Sequence, residues 1–337
     1  MLTLIATVCG ADNWVLIEEF GKTRIDWLRQ YLILPNGIPS HDTIGRVFSM
    51  LNPKEFERFF IEWAKQATNL TAGELISIDG KTLRGSHDRH RGKEAIHLVN
   101  AWADANSMVI GQLQSEGKKN EIKTIPKLID LLAVQGCVIS IDAMGCQKEI
   151  AKKIISEKAD YILAVKDNQP SLNKQVQTAF TVTNTHSVEE QTTKDHGRIE
   201  TRKCTVVNNL KWVDQSKNWQ GMKSIIKIES AREEISKNKT SEEVRYYISS
   251  LKKPAEYFNK TIRSHWGIEN SLHYVLDVAF SEDQSRVRIG HADQNLAIVR
   301  KIALNLLKID TSVKLGIKNK RFKAGWDNSY LLKILKI

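Results

Sequence analysis

Three acidic residues stand where their neighbours could make catalysts of them. Leu75-Ile-Ser-Ile runs into Asp79 and Val138-Ile-Ser-Ile runs into Asp142, so two apolar stretches share the ending Ile-Ser-Ile-Asp. A carboxylate at the end of such a stretch is unfavourable to bury unless something pairs with it. Two carboxylates emerging at one edge can share a hard cation such as Mg²⁺ or Mn²⁺ through oxygen. The alternative is that each Asp caps the turn or helix that follows it. The third acid, Glu269, lies in a segment where His265, Glu269, His273 and Asp277 recur every fourth residue. On a helix these four form one polar stripe, with Ile268, Leu272, Val275 and Ala279 as an apolar stripe beside it. Packed on a sheet by that apolar face, the helix would aim Glu269 toward the sheet edge; otherwise the polar stripe is a solvated face. Zinc held by His265, Glu269 and His273 is a further option, without the His-Glu-x-x-His pattern that would support it.

The elements that must position these acids follow from hydrophobic periodicity. Strands are expected at Leu75–Asp79, Ile96–Trp102 and Ser107–Leu113, the last two joined by a short turn. A helix over Glu121–Val134, a strand over Cys137–Asp142, a helix over Lys148–Lys158 and a strand over Tyr161–Val165 follow. A meander continued by such units predicts an α/β fold, a mixed sheet with helices packed on it. In that sheet the first and fourth strands can lie side by side, with both Asp residues at one edge. Residues 185–250 are polar and β-rich, with strands expected at Thr201–Val207, Lys223–Glu229 and Val244–Ser249, and read as an insertion. Helical patterning resumes at Pro254 and runs to about Ile309. The first 72 residues read as helices: an apolar core helix at Met1–Gly10, a periodic stretch from Asn13 to Tyr31, a Gly/Pro break, and a helix capped by Ser40. Helix, turn and capped helix fit either a DNA-reading pair or a helical cap on a larger domain. The divisions are 1–72, 73–184, 185–250, 251–310 and a basic tail over 311–337.

Composition narrows the classes. The 337 residues carry 50 Lys+Arg against 39 Asp+Glu, a net charge of +11, and 41% are hydrophobic, which excludes wholesale disorder. Four scattered cysteines without a Cys-x-x-Cys pair exclude a disulfide scaffold and a four-Cys zinc site, and fit a reducing cytoplasm. No stretch is long and apolar enough to span a bilayer, so a soluble protein is expected. From Lys314 onward seven basic residues (Lys314, Lys318, Lys320, Arg321, Lys323, Lys333, Lys336) face one acid, Asp327. Such a tail reads as a solvated surface or a polyanion patch.

The ordered set of motifs is similar to the H-repeat-associated transposases, a family of bacterial insertion-sequence DDE transposases. The resemblance rests on Asp-Gly-Lys-Thr-Leu-Arg-Gly-Ser (79–86), Asp-Ala-Met-Gly-Cys-Gln (142–147) and His-Trp-Gly-Ile-Glu-Asn (265–270). Lys-Asp-Asn-Gln-Pro (166–170), His-Gly-Arg-Ile-Glu-Thr-Arg (196–202) and Ala-Leu-Asn-Leu-Leu (303–307) extend it along nearly the whole chain. It implies an RNase H-like, retroviral-integrase-type core with a five-stranded mixed sheet. In that core Asp79, Asp142 and Glu269 are the catalytic triad and the ligands of two Mg²⁺ or Mn²⁺ ions, with no organic cofactor. It further implies strand cleavage and transfer by phosphoryl transfer on double-stranded DNA, on terminal repeats and target, by a homodimer at the nucleoid. DNA contacts are expected from Lys81, Arg84, Lys118, Lys119, Lys166, Arg198, Arg202, Arg263, His265, Asn270 and the tail. Trp266 is expected to anchor its helix in the core, or else to stack on an unpaired base. The pattern departs from the wider Tyr-x2-Arg-x3-Glu-x6-Lys signature, with His265 at the Arg position and Leu276 at the Lys position. Related sequences begin with further helical turns before Met1, so a shortened copy that binds DNA without turnover is one alternative. A junction resolvase of the same fold is another.

Overall fold

A computed structural model describes residues 1–336 except 184–186, 196 and 235–238. The expected boundary at 184/185, His196 and Ile337 therefore lie outside the described residues. Among the described residues nine strands form one sheet: β1 (Leu75–Thr82), β2 (His97–Ala103), β3 (Met108–Ser115), β4 (Val138–Ile141), β5 (Asp160–Val165), β6 (Ser187–Asp195), β7 (Arg198–Val207), β8 (Ser224–Glu234) and β9 (Lys239–Ser249). Their order is β3-β2-β1-β4-β5-β9-β8-β7-β6. β1, β2 and β3 are an antiparallel meander, β1, β4 and β5 run parallel, and everything beyond β5 is antiparallel. The first five strands have the order expected of an RNase H-like core.

The insertion does not stand apart from that core. β9 pairs directly with β5, from Ile162↔Ser249 to Val165↔Tyr246. Without it β5 would be an edge with unpaired backbone groups. Val165, Tyr247 and Ile248 are buried along this seam. The insertion contains one strand more than its hydrophobic pattern suggests, β6, which pairs only with β7.

Alternation along β1 and β4 sorts their residues between two faces. Ile76, Ile78, Ile139 and Ile141 point into one core, covered by α6 (Glu121–Leu131), α7 (Lys148–Ser156) and α8 (Pro170–Val182). Each Ile fully withdrawn from water there contributes about 1.5–3 kcal/mol. Leu75 and Val138 face the other side, against α9 (Ala255–His265) and the inner faces of β7 and β8. Ser77 and Ser140 bond to each other across β1 and β4, at 3.2 Å.

The N-terminal helices are α1 (Leu2–Val8), α2 (Trp14–Thr23), α3 (Ile25–Leu28), α4 (His41–Met50) and α5 (Pro53–Ala67). Ser40 caps α4 as expected, accepting from Thr43 N. These helices share one core with Trp102, the segment around Leu272 and Leu276, and α11 (Ala292–Ile309), α12 (Ile317–Trp326) and α13 (Asn328–Leu335). The expected basic tail is thus a packed helical pair. Two of its cations are internal: Lys320 donates to the carbonyls of Leu307 and Asp310, and Arg321 to those of Thr7 and Ala279. Among the described residues no helix is long and apolar enough to cross a membrane.

Candidate active site

The parallel register of β1 and β4 decides where the first two acids go. Leu75 pairs with Val138 and Ile78 with Ile141, an offset of 138 − 75 = 63. Asp79 and Asp142 have the same offset, 142 − 79 = 63, so they leave the sheet as neighbours. Burial raises both carboxyls, that of Asp79 to about 6, and each pushes against the buried carboxylate of Glu121. His273 counters the rise at Asp79. One Asp142 oxygen accepts from the amides of Met144 (3.0 Å) and Gly145 (3.3 Å), so Asp142 does cap the turn that follows it.

Glu269 arrives from the opposite side. After α9 the chain turns, makes a π-helical turn over Glu269–His273 and continues as α10 (Tyr274–Phe280). Ile268, Leu272, Leu276 and Ala279 are buried in the core shared with the N-terminal helices, which fixes the rotation of this segment. Its polar stripe meets the sheet along its length. His265 Nδ1 is 2.7 Å from Ser140 Oγ, His273 Nδ1 is 3.5 Å from Asp79 Oδ2, and Asp277 pairs with Lys81. The solvated reading of the stripe holds for Glu269, which is exposed, and fails for the buried His273. His273 Nδ1 also lies 3.0 Å from Glu269 Oε2, and that hydrogen bond holds the Glu269 carboxyl below its ordinary range. Asp79, Asp142, Glu269, His265 and Lys166 line one cavity of 360 Å³.

The other expected site residues divide. Lys166, Arg84, Lys118, Lys119, Arg198, Arg263 and Asn270 are exposed. Arg84 pairs with Asp283 (3.5 Å) and Arg263 with Glu200 (3.7 Å). Lys81 is a correction: it is buried between Asp277 and Glu282 and has no face for a phosphate. Arg202 is another, since it is buried and donates to Asn259 Oδ1 at 3.3 Å beneath α9. His265 is turned onto Ser140, and burial lowers it to about 4, so it is neutral and brings no cation to DNA. The zinc set of His265, Glu269 and His273 is not assembled, because the residues whose ligand atoms converge are Asp79, Glu269 and His273. Trp266 is not a core anchor: it is 37% exposed, with the Arg245 guanidinium over its ring at 4.8 Å.

Arg245, Glu121, His97 and Asn100 escaped the sequence reading. Arg245 is the only one with a signal, a cation inside the apolar end of a strand. It lines the acid cavity and a larger one of 1250 Å³ between α9 and the insertion. His97 Nε2 sits 2.9 Å from Glu121 Oε2, and the two fill the space beside Gly80.

The sheet has the RNase H-like order, with two acids at adjacent strand ends and a third on a facing helical segment. Residues 71–306 match the family model described as Transposase DDE domain, and residues 1–64 the one described as DDE_Tnp_1-associated. The chain belongs to the DDE transposase family, in the group that includes the H-repeat-associated transposases. It is 44% identical over 342 residues to YncI of Escherichia coli O157:H7, which is named a transposase, covering 99% of this chain and 87% of that one. It is 41% identical over 344 residues to YhhI of Escherichia coli K12, named an H repeat-associated transposase, covering 99% and 90%. Among solved structures, piggyBac transposase in a synaptic complex with hairpin DNA aligns with a TM-score of 0.46 and 12% identity. That alignment covers 99% of this chain and 71% of that one. A DDE domain implies a divalent cation, and the donor set fits one: ligand atoms of Asp79, Glu269 and His273 lie within 4.8 Å of one another.

Proposed function

We propose that this protein cuts and joins DNA ends by phosphoryl transfer assisted by two Mg²⁺ or Mn²⁺ ions, with Asp79, Asp142 and Glu269 as their ligands. What supports the reading is the shared offset of 63 between β1 and β4, which sets two acids side by side facing Glu269 in one cavity. When bound, such ions activate the attacking oxygen and stabilise the leaving one. Asp79 stands between the other two acids and is the one placed to be shared. Glu269 is kept ionised by His273, so its charge is ready for a cation or, without one, for the imidazole. Lys166, exposed at the end of β5 on the cavity wall, is placed to take a phosphate of the scissile strand.

DNA would lie across this mouth, with Arg84, Lys118, Lys119, Arg198, Arg263 and Asn270 as further contacts and Trp266 as a stacking surface. Two copies would hold two element ends. No covalent enzyme intermediate is needed, so the site requires no nucleophilic Ser or Tyr. The test is nicking of a supercoiled plasmid carrying the element ends, with wild type beside Asp142→Asn. The amide should lower metal-dependent cleavage about 10³-fold or more while end binding is retained. Cleavage by the variant at the wild-type rate would remove Asp142 from the site. Wild-type binding without cleavage would mean a DNA-binding relic.

A further inference from the structure

The acids alone do not account for His273. It is 4% exposed, and its Nδ1 stands 3.0 Å from Glu269 Oε2 and 3.5 Å from Asp79 Oδ2. Asp142 is outside that trio, with one oxygen occupied by the Met144 and Gly145 amides. Ligand atoms that are neighbours around one divalent ion, at bonds of about 2.1 Å, stand about 3.0–3.5 Å apart. The imidazole nitrogen meets both carboxylates at that spacing. Behind the ring, Nε2 is 3.5 Å from Asn100 Nδ2, and Asn100 Oδ1 is buried without a hydrogen-bond partner. Turned over, the amide gives up one long bond to Leu98 O (3.3 Å) and presents Oδ1 to Nε2–H. Without a cation Nδ1–H donates to Glu269; with one bound, the turned amide would hold the tautomer whose Nδ1 lone pair faces the ion, as a carbonyl behind a ligating histidine does elsewhere. Asn100 is the direct cross-strand partner of Asp79, so this backing is built into the β1–β2 ladder.

We propose that the site offers two unlike cation positions: one of oxygen ligands alone, between Asp79 and Asp142, and one of mixed ligands, formed by Asp79, Glu269 and the imidazole of His273. The inference rests on the metal-dependent reading above. A nitrogen donor favours Mn²⁺ over Mg²⁺, which takes oxygen and dehydrates reluctantly. The mixed position therefore fills first with Mn²⁺, and the two ions differ in which position they prefer.

The experiment is pulsed EPR on the full chain with one equivalent of Mn²⁺, beside calorimetric titrations with Mn²⁺ and Mg²⁺. The expected result is ¹⁴N coupling from a coordinated imidazole in wild type, kept in His265→Gln and absent in His273→Gln. His273→Gln should weaken Mn²⁺ binding about 10–100-fold and leave Mg²⁺ binding within about 3-fold. Histidine labelled with ¹⁵N in the wild-type chain must convert the coupling, a readout that holds even if the variant does not fold. Bound Mn²⁺ without nitrogen coupling, or coupling that survives His273→Gln, overturns the proposal while leaving the acid triad in place. Mn²⁺ binding that Asp79→Asn leaves unchanged overturns the metal reading itself, and the proposal with it.

Discussion

Asp79 is held by demands that conflict. Its strand buries it, Asp142 and Glu121 crowd it with like charge, and His273 and the Gly80 amide relieve it only in part. With a folded-state value near 6 against an ordinary 3.8, the folded chain holds this proton more tightly than the unfolded one. The residue therefore opposes folding above about pH 6, progressively less between pH 6 and 4, and not at all below. Asp79→Asn should stabilise the metal-free protein at pH 7.5, by no more than about 3 kcal/mol, with the two urea curves converging at pH 4. A difference that does not change with pH would show that burial of Asp79 carries no penalty. Gly80 is bound into the same arrangement, because a methyl there would collide with His97 and with the Glu121 carboxylate. The acids were legible because two apolar runs ended alike. His97, Glu121 and Asn100 were not: a His and an Asn in a strand and a Glu in a first helical turn are ordinary in sequence. Lys81 was misread as a surface cation because its partners, Asp277 and Glu282, are about 200 residues further along.

At the scale of elements, the fourfold spacing from His265 to Asp277 left open a face on the sheet or a solvated one, and His265, His273 and Asp277 meet the sheet. It did not announce the π turn over Glu269–His273, since one additional residue in a helical turn leaves no compositional mark. That turn joins site and core in five residues: Glu269 and His273 point to Asp79, while Leu272, fully buried, points to the core of the N-terminal helices. Leu272→Ala should cost about 2–5 kcal/mol and also weaken Mn²⁺ binding, checked by thermal melts beside calorimetry. A lower Tm with metal affinity unchanged would mean that the turn keeps its shape without its buried side. β6 was missed for a different reason. Ser-Val-Glu-Glu-Gln-Thr-Thr-Lys-Asp contains one hydrophobic residue, and the strand is held by ladder bonds to β7 as the sheet's last strand.

At the scale of the whole chain, Arg321 closes the molecule. Its guanidinium donates to Thr7 O (2.8 and 3.1 Å) and to Ala279 O, pairs with Asp12, and stacks on the Phe280 ring at 4.1 Å. One buried cation therefore joins α1, α10 and α12. Arg321→Ala leaves the Ala279 carbonyl and the Asp12 carboxylate without this donor, and Thr7 O with the Gly10 amide as its remaining donor, and should cost about 3–5 kcal/mol. Limited proteolysis should then cut α1 and α12 together, and protection of one without the other would separate them. The same contact sets a schedule for synthesis. Thr7 and Arg321 are 314 residues apart, and at about 5–20 residues per second the first helix leaves the ribosome on the order of tens of seconds before its partners. Until α11 and α12 emerge, α1 has only its N-terminal neighbours such as α2 to pack on, and Glu269 itself is made late. A nascent chain interrupted before residue 269 carries two of the three acids and an open core. The core and the candidate site are therefore completed together, late in synthesis, rather than one before the other.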